Sequence, residues 1–225
     1  MRVSVIVPVL NEIEKVESFL SMLQILPGDW EVLFADGGST DGTRERLQGR
    51  ARVIDCPKGR ARQMNAAAKK STGDVLWFVH CDSILPDGAY RQIVQAVQTG
   101  TRFGCFQIAF DYQGPFMGCN TALSNRRAKR GRIAFGDQGI FMTRELFEKI
   151  GGFPDLPIME DYELSLSLKR ANIPLTVLDS SIVTSGRRYA RRMPLLTMAQ
   201  MFGLRCLYRM GVSPQKIAQL YRDIR

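Results

Sequence analysis

Residues 3–12 read Val3-Ser4-Val5-Ile6-Val7-Pro8-Val9-Leu10-Asn11-Glu12, an apolar run of strand length that ends on polar groups. A near-continuous run of this kind, rich in β-branched residues, marks a strand buried on both faces. The pattern returns at residues 30–35, followed by Asp36-Gly37-Gly38-Ser39-Thr40-Asp41-Gly42-Thr43, and at residues 74–79, followed by His80-Cys81-Asp82-Ser83. Between these runs the spacing predicts helices. Asn11 is placed to cap one that reaches about residue 26, where Pro27-Gly28 ends it, and Thr40 or Asp41 to cap another over residues 42–48. A third strand is expected over residues 51–55, then a helix to about residue 70 closed by Gly73. Strand and helix in alternation predict an α/β fold: a mostly parallel central sheet with right-handed crossovers and helices on both faces. The polar groups then gather at the carboxyl ends of parallel strands, the edge at which open α/β sheets bind ligands.

Downstream, Pro86 fits the first turn of a helix reaching residue 98, and residues 102–110 read as a strand. Gly114-Pro115 breaks the chain. Residues 119–130 look helical and carry Arg126, Arg127, Lys129 and Arg130. A strand resumes over residues 139–142, Thr143 caps a short helix, and Gly151-Gly152-Phe153-Pro154 turns toward Glu160-Asp161.

The chain has 225 residues, 45% of them hydrophobic, enough for one sizeable α/β domain. Neither a linker-like tract nor an internal repeat divides it. The expected organisation is one main domain over residues 1–186 and a basic helical extension over 187–225. Five scattered cysteines without a C-x-x-C pair favour reduced thiols in a cytoplasmic protein over a disulfide framework or zinc site. No small-residue cleavage pattern follows the start, so no secretory signal is expected. The net charge of +9 is uneven: nine basic residues against Asp223 alone give the extension +8 and leave the body at +1. That asymmetry calls for an anionic partner, whether phosphate, lipid surface or nucleic acid. Residues 195–210 are apolar nearly all round but contain Arg205 and Arg209, and their length falls short of the roughly 20 apolar residues that span a bilayer.

The ordered strings VSVIVPVLNE, VLFADGGSTDGT, KGRARQMNAA, HCDS and FEKIGGFPDLPIMEDYELSLSLKR resemble the family 2 glycosyltransferases across about residues 3–170. The resemblance implies the glycosyltransferase A-type fold and inverting transfer of a sugar from a nucleotide diphosphate donor to a hydroxyl acceptor, assisted by Mn2+ or Mg2+. It places Pro8, Asn11 and Glu12 around base and ribose, Asp36 on the nucleobase, and Lys58 and Arg60 toward the donor. It makes Asp82 the metal ligand, as the last acid of a D-x-D motif that here reads His80-Cys81-Asp82. His80 stands where the family has an acid, which leaves metal, ribose or no ligand open for it. Asp161 is the implied base, Glu160 its neighbour, and Gln138, in Gly136-Asp137-Gln138, a contact to the donor sugar.

Each position also has a plainer reading. Asp41 is expected to cap a helix, D-G-G-S-T-D-G is good turn chemistry, and acids in a first turn stabilise any helix. Arg187 and Arg188 are expected to reach the diphosphate or an anionic acceptor. The Q-x-x-R-W motif of processive members is missing, so polymer synthesis is not expected. A lipid-linked or otherwise anionic acceptor and an anionic membrane surface are the expected partners, without nucleic acid. Two rivals remain at this level: a nucleotide-sugar-binding module without turnover, and a nucleotidyltransferase, against which stands the lack of a Gly-rich basic loop after the first strand. A dehydrogenase is disfavoured because no G-x-G-x-x-G follows that strand.

Overall fold

The computed structural model describes residues 1–186, 189 and 194–224. The strands are β1 (Val3–Val9), β2 (Trp30–Asp36), β3 (Arg52–Asp55), β4 (Val75–Phe78), β5 (Phe103–Phe110), β6 (Phe141–Thr143) and β7 (Thr176–Thr184). The helices are α1 (Ile13–Ile25), α2 (Thr43–Leu47), α3 (Arg60–Lys70), α4 (Ala89–Gln98), α5 (Met117–Gly131), α6 (Arg144–Lys149), α7 (Glu160–Arg170), α8 (Pro194–Arg209) and α9 (Pro214–Ile224). Among the described residues these strands form one sheet in the order β3-β2-β1-β4-β6-β5-β7. Pairing is parallel except at β6, which runs antiparallel to both β4 and β5.

Both sheet faces are buried, which is why β1 reads as an uninterrupted apolar run. Val3, Val5, Val7 and Val9 face a core shared with Phe19, Leu23 and Ile93 of α1 and α4. Ile6, with Leu33 and Phe78, faces the opposite core under Ala61, Met64 and Ala68 of α3 and Leu164 and Leu168 of α7. The period-2 alternation of a strand thus serves two helical layers at once.

After β3 the chain returns to lay β4 on the other side of β1, so strand order reverses between β1 and β4. The carboxyl ends of β1, β2 and β4 meet at that switch point. Gln63, buried on α3, fixes the edge there: its Nε2 donates to the carbonyls of Val9 and Ala35, each at 2.8 Å.

Two local expectations change. Asn11 does not cap α1; it adopts φ 56° and its Oδ1 accepts the Thr40 N–H at 2.8 Å, joining the first loop to the second. The start of α1 is held by Asp41, whose Oδ2 accepts the Ile13 N–H at 3.1 Å while Oδ1 accepts the Thr43 N–H at 2.9 Å. One carboxylate therefore serves two helix starts. The helix after Pro86 begins three residues later, at Ala89, because Gly88 takes a left-handed turn first.

Residues 194–224 lie against the body. Tyr208 of α8 donates its hydroxyl to Glu163 Oε2 at 2.7 Å and stacks edge-on to Tyr162 with centroids 5.8 Å apart. Leu204 and Ile217 are buried between the last helices and their surroundings. No helix among the described residues is long and apolar enough to cross a membrane.

Candidate active site

Pro8, Arg60, His80, Gly136, Glu160 and Asp161 line one cavity at the switch point. They arrive from the end of β1, the start of α3, the turn after β4, the short 3-10 turn Gly136–Gln138 and the start of α7. Asp161 is held from two sides. Its Oδ2 accepts the Gly136 N–H and its Oδ1 the Tyr162 N–H, both at 2.7 Å. Both bonds fix the position of the carboxylate in the first turn of α7. Gly136 permits this closeness: a Cβ there would lie 2.9 Å from His80 Nε2 and 3.5 Å from Asp161 Oδ2.

Glu160, by contrast, is 2% exposed and turned inward. Its Oε1 lies 2.7 Å from Arg60 Nε. Burial pushes its carboxyl up, and the Arg60 charge pulls it back. The Arg60 guanidinium is partly exposed and raised in turn, chiefly by Glu160 and then by Asp161. Arg60 Nη1 also stands 3.4 Å from His80 Nε2. Burial, reinforced by that cation, lowers His80 to about 3, so the imidazole is neutral at physiological pH.

The residues expected around the nucleotide form a second group. Asp36 is buried, and its carboxylate is taken up by its own loop: Ser39 Oγ donates at 2.5 Å, and Gly38 N and Ser39 N each at 3.2 Å. Asn11 N donates to Ser39 Oγ at 3.0 Å, and Glu12 N to Thr43 Oγ1 at 2.8 Å. Glu12 and Asp82 both act on the Cys81 thiol, which burial pushes far up, so the loop after β1 and the turn after β4 are electrostatic neighbours. Lys58 is exposed in the loop before α3.

Gln138 departs from expectation. It is fully buried, its Oε1 accepting from Arg127 Nη2 at 2.7 Å and its Nε2 donating to the Phe106 carbonyl at 3.3 Å. With both ends of the amide occupied inside the protein, it supports the turn carrying Gly136 and does not reach a donor sugar. Arg187 and Arg188 lie outside the described residues.

Sequence reading missed Phe135 and Tyr162, whose rings stand 5.9 Å apart beside Gly136 and Asp161. It also missed Gln63; the signal for Gln63 and Tyr162 was their place inside the strings KGRARQMNAA and FEKIGGFPDLPIMEDYELSLSLKR, and for Phe135 its place before Gly136.

Asp82 is a single carboxylate in the turn after β4, and among the described residues no group of three or more His, Cys, Asp and Glu is placed to hold an ion. The Glu12 carboxylate reaches the Cys81 thiol that separates His80 from Asp82 in sequence, so a second carboxylate adjoins this turn. Such a set suits a hard divalent cation held largely by phosphate oxygens, with one or two protein ligands, and not a closed protein cage.

The chain is similar to known proteins in sequence and in fold. The succinoglycan biosynthesis protein ExoA of Rhizobium meliloti (strain 1021) is 30% identical over 201 residues, which cover 79% of this chain and 61% of that protein. The chain thus spans about three fifths of the length of that curated relative. Among solved structures, the mannosyltransferase PcManGT from Pyrobaculum calidifontis, in complex with GDP-Man and Mn2+, superposes with a TM-score of 0.65 at 21% identity, over 99% of this chain and 69% of that one. S. aureus TarS 1-349, in complex with UDP-GlcNAc, gives 0.63 at 17% identity over 82% and 58%. Glucosyl-3-phosphoglycerate synthase from Mycobacterium tuberculosis, with Mn2+, UDP and glucosyl-3-phosphoglycerate, gives 0.62 at 21% identity over 94% and 80%. These likenesses show a shared glycosyltransferase A-type fold. The sequence model of glycosyl transferase family 2 matches residues 4–150, the stretch that builds the switch point and the turn holding Asp161, and the chain belongs to that family.

Proposed function

We propose that this chain is an inverting glycosyltransferase that moves a sugar from a nucleoside diphosphate donor to a hydroxyl acceptor. Residues 1–186 form the catalytic unit and 187–225 the extension. The observation that carries the reading is the clamped Asp161 carboxylate, opposite Arg60 and His80 at the switch point.

In a single in-line displacement, the acceptor oxygen bonds to the anomeric carbon as that carbon's bond to the diphosphate oxygen breaks. The electron pair leaves with the nucleoside diphosphate, and the hydroxyl proton passes to Asp161. Glu160 does not touch the acceptor; it holds Arg60, which faces His80 and the donor side. Pro8, Asn11, Glu12 and the loop shaped by Asp36 enclose base and ribose, and Lys58 approaches the diphosphate. Asp82, two residues after His80, would hold Mn2+ or Mg2+, which when bound would supply charge neutralisation on the leaving diphosphate. The complexes of PcManGT and the Mycobacterium tuberculosis synthase with Mn2+ support that choice of cofactor.

The protein acts in the cytoplasm and docks at the inner membrane face through its basic extension. Exposed Leu195, Leu196 and Phe202 on α8 support this placement.

A thermal-shift screen of nucleoside diphosphates and their sugars, with and without Mn2+, tests the reading. A selective, metal-enhanced rise in midpoint is expected, because a ligand that binds the native state stabilises it in proportion to occupancy. No response to any nucleotide would overturn it.

A further inference from the structure

We propose that the acceptor carries an anionic group, a phosphate or carboxylate, received by Arg205 and Arg209 of α8 together with Arg127 of α5, beside Asp161; this rests on the transferase reading above. Phe135 immediately precedes Gly136, and Tyr162 immediately follows Asp161, so the aromatic pair forms the wall next to the base. Helix α8 lies on that wall through Tyr208. Arg205 and Arg209, four residues apart, share one face of α8. The Cζ of Arg205 is 5.7 Å from the Phe135 centroid, and that of Arg209 is 6.0 Å from the Tyr162 centroid. From α5, Arg127 stacks on Phe135 at 3.8 Å. Three guanidiniums therefore surround the rings flanking the base.

These cations are under-compensated. Among the described residues none of the three stands in an ion pair with a carboxylate, although Arg127 and Arg205 are substantially removed from solvent. Burial disfavours the charged forms of Arg127 and Arg205 and repulsion from a neighbouring arginine adds to it; Asp137 and then Asp161 offset this in part at Arg127, while among the described residues no carboxylate does so at Arg205. Removing charge from water with no carboxylate to offset it, as at Arg205, is costly, and an arriving anion would reduce that cost. Of the three, only Arg127 is stacked flat on a ring; Arg205 and Arg209 stand at the ring margins, where their N–H groups can meet two oxygens of a phosphate or carboxylate. Arg127 spends part of its edge on Gln138 and on the Ile133 carbonyl, which fixes the turn; Arg205 and Arg209 supply the open positions.

The test uses the full chain saturated with its preferred nucleoside diphosphate and Mn2+, so that the donor's phosphate site is filled. Calorimetry then compares sn-glycerol 3-phosphate with glycerol, and sedimentation compares phosphatidic acid with phosphatidylcholine vesicles. The anionic probe is expected to bind at least tenfold more tightly than its neutral twin. Arg205→Met, which keeps the apolar stem on Phe135, should weaken it about tenfold, and adding Arg209→Gln further, with nucleotide affinity unchanged. Such losses with glycerol 3-phosphate identify a soluble anionic acceptor; losses confined to phosphatidic acid vesicles identify a lipid phosphate. Equal affinities in wild type and variants, or no preference for the anion in either arm, overturn the proposal. Failure of the wild type to bind any nucleoside diphosphate would instead overturn the transferase reading, and this inference with it.

Discussion

Asp161 accepts the backbone N–H of Gly136 at 2.7 Å, across a sequence separation of 25 residues. That bond ties the first turn of α7 to the turn before β6, and it leaves the carboxylate facing the cavity that Arg60 and His80 also line. Replacing Asp161 by Asn keeps an oxygen for Gly136 but removes the basicity. Sugar transfer is expected to fall roughly 100-fold or more, the scale of a positioned general base, while nucleotide affinity holds. Steady-state transfer with titration of the nucleoside diphosphate checks this, and near wild-type turnover would move the base elsewhere.

Gly136→Ala tests the same geometry without touching a charged group. The added Cβ would lie 2.9 Å from His80 Nε2, so either the imidazole or the turn must shift, and Asp161 moves with the turn. A displacement near 1 Å at a reacting group costs on the order of 100-fold in rate. The variant should stay folded by circular dichroism and lose turnover more than nucleotide binding. Unchanged kinetics would show that Asp161 does not depend on this turn.

Asp82→Ala should abolish the Mn2+-dependent gain in nucleoside diphosphate affinity and leave the fold intact. The donor set in the turn after β4 is small, so removing its carboxylate leaves the cation no acidic ligand there. Calorimetry with and without Mn2+ measures the effect. Equal metal enhancement in the variant would place the cation away from this turn.

The frame of the protein was legible because its strands are buried on both faces: β1, β2 and β4 announce themselves as apolar runs, and the polar groups after them mark the switch point. Local polar contacts were less legible. Asn11 carries the residue type of a helix cap, yet Thr40 of another loop claims its side chain, and Asp41 serves α1 from 28 residues away. Gln138 has the chemistry of a sugar contact, but Arg127 and Phe106 occupy both ends of its amide. Phe135 and Tyr162 carry no motif of their own. Their importance comes from what packs on them, and a linear reading does not contain that packing.

His80 predicts a dependence of stability on pH. Its folded value of about 3 lies below the ordinary 6.5, so between these values the unfolded chain binds a proton that the folded protein refuses. Stability from this group is present above pH 6.5 and is lost as pH falls, with a slope approaching about 1.4 kcal/mol per pH unit. Glu160, raised by burial, has the opposite sign: its contribution falls as pH rises from its ordinary 4.5 through its folded value. Comparison of wild type with His80→Gln isolates the imidazole. Urea unfolding from pH 7 to 5 should show a smaller acid-dependent loss in the variant, and parallel curves would show that His80 is protonated in the folded protein.

Membrane docking is the last expectation. The extension carries +8 in sequence, and α8 exposes Leu195, Leu196 and Phe202, the last at 62%. Each basic residue near an anionic surface contributes about 1 kcal/mol, reduced by salt, while the exposed side chains add apolar area too limited to hold the protein on a neutral bilayer. Sedimentation with phosphatidylglycerol vesicles should recover the protein at low ionic strength and release it as salt rises; phosphatidylcholine vesicles should not. Leu196→Ser with Phe202→Ser should weaken binding through α8, and Arg191→Gln with Arg192→Gln through the residues before it, which lie outside those described. Arg205 and Arg209 stay unaltered here because they adjoin the rings beside Asp161. If the wild-type chain remains in the supernatant at low salt, the basic charge serves the acceptor and donor anions and not a membrane.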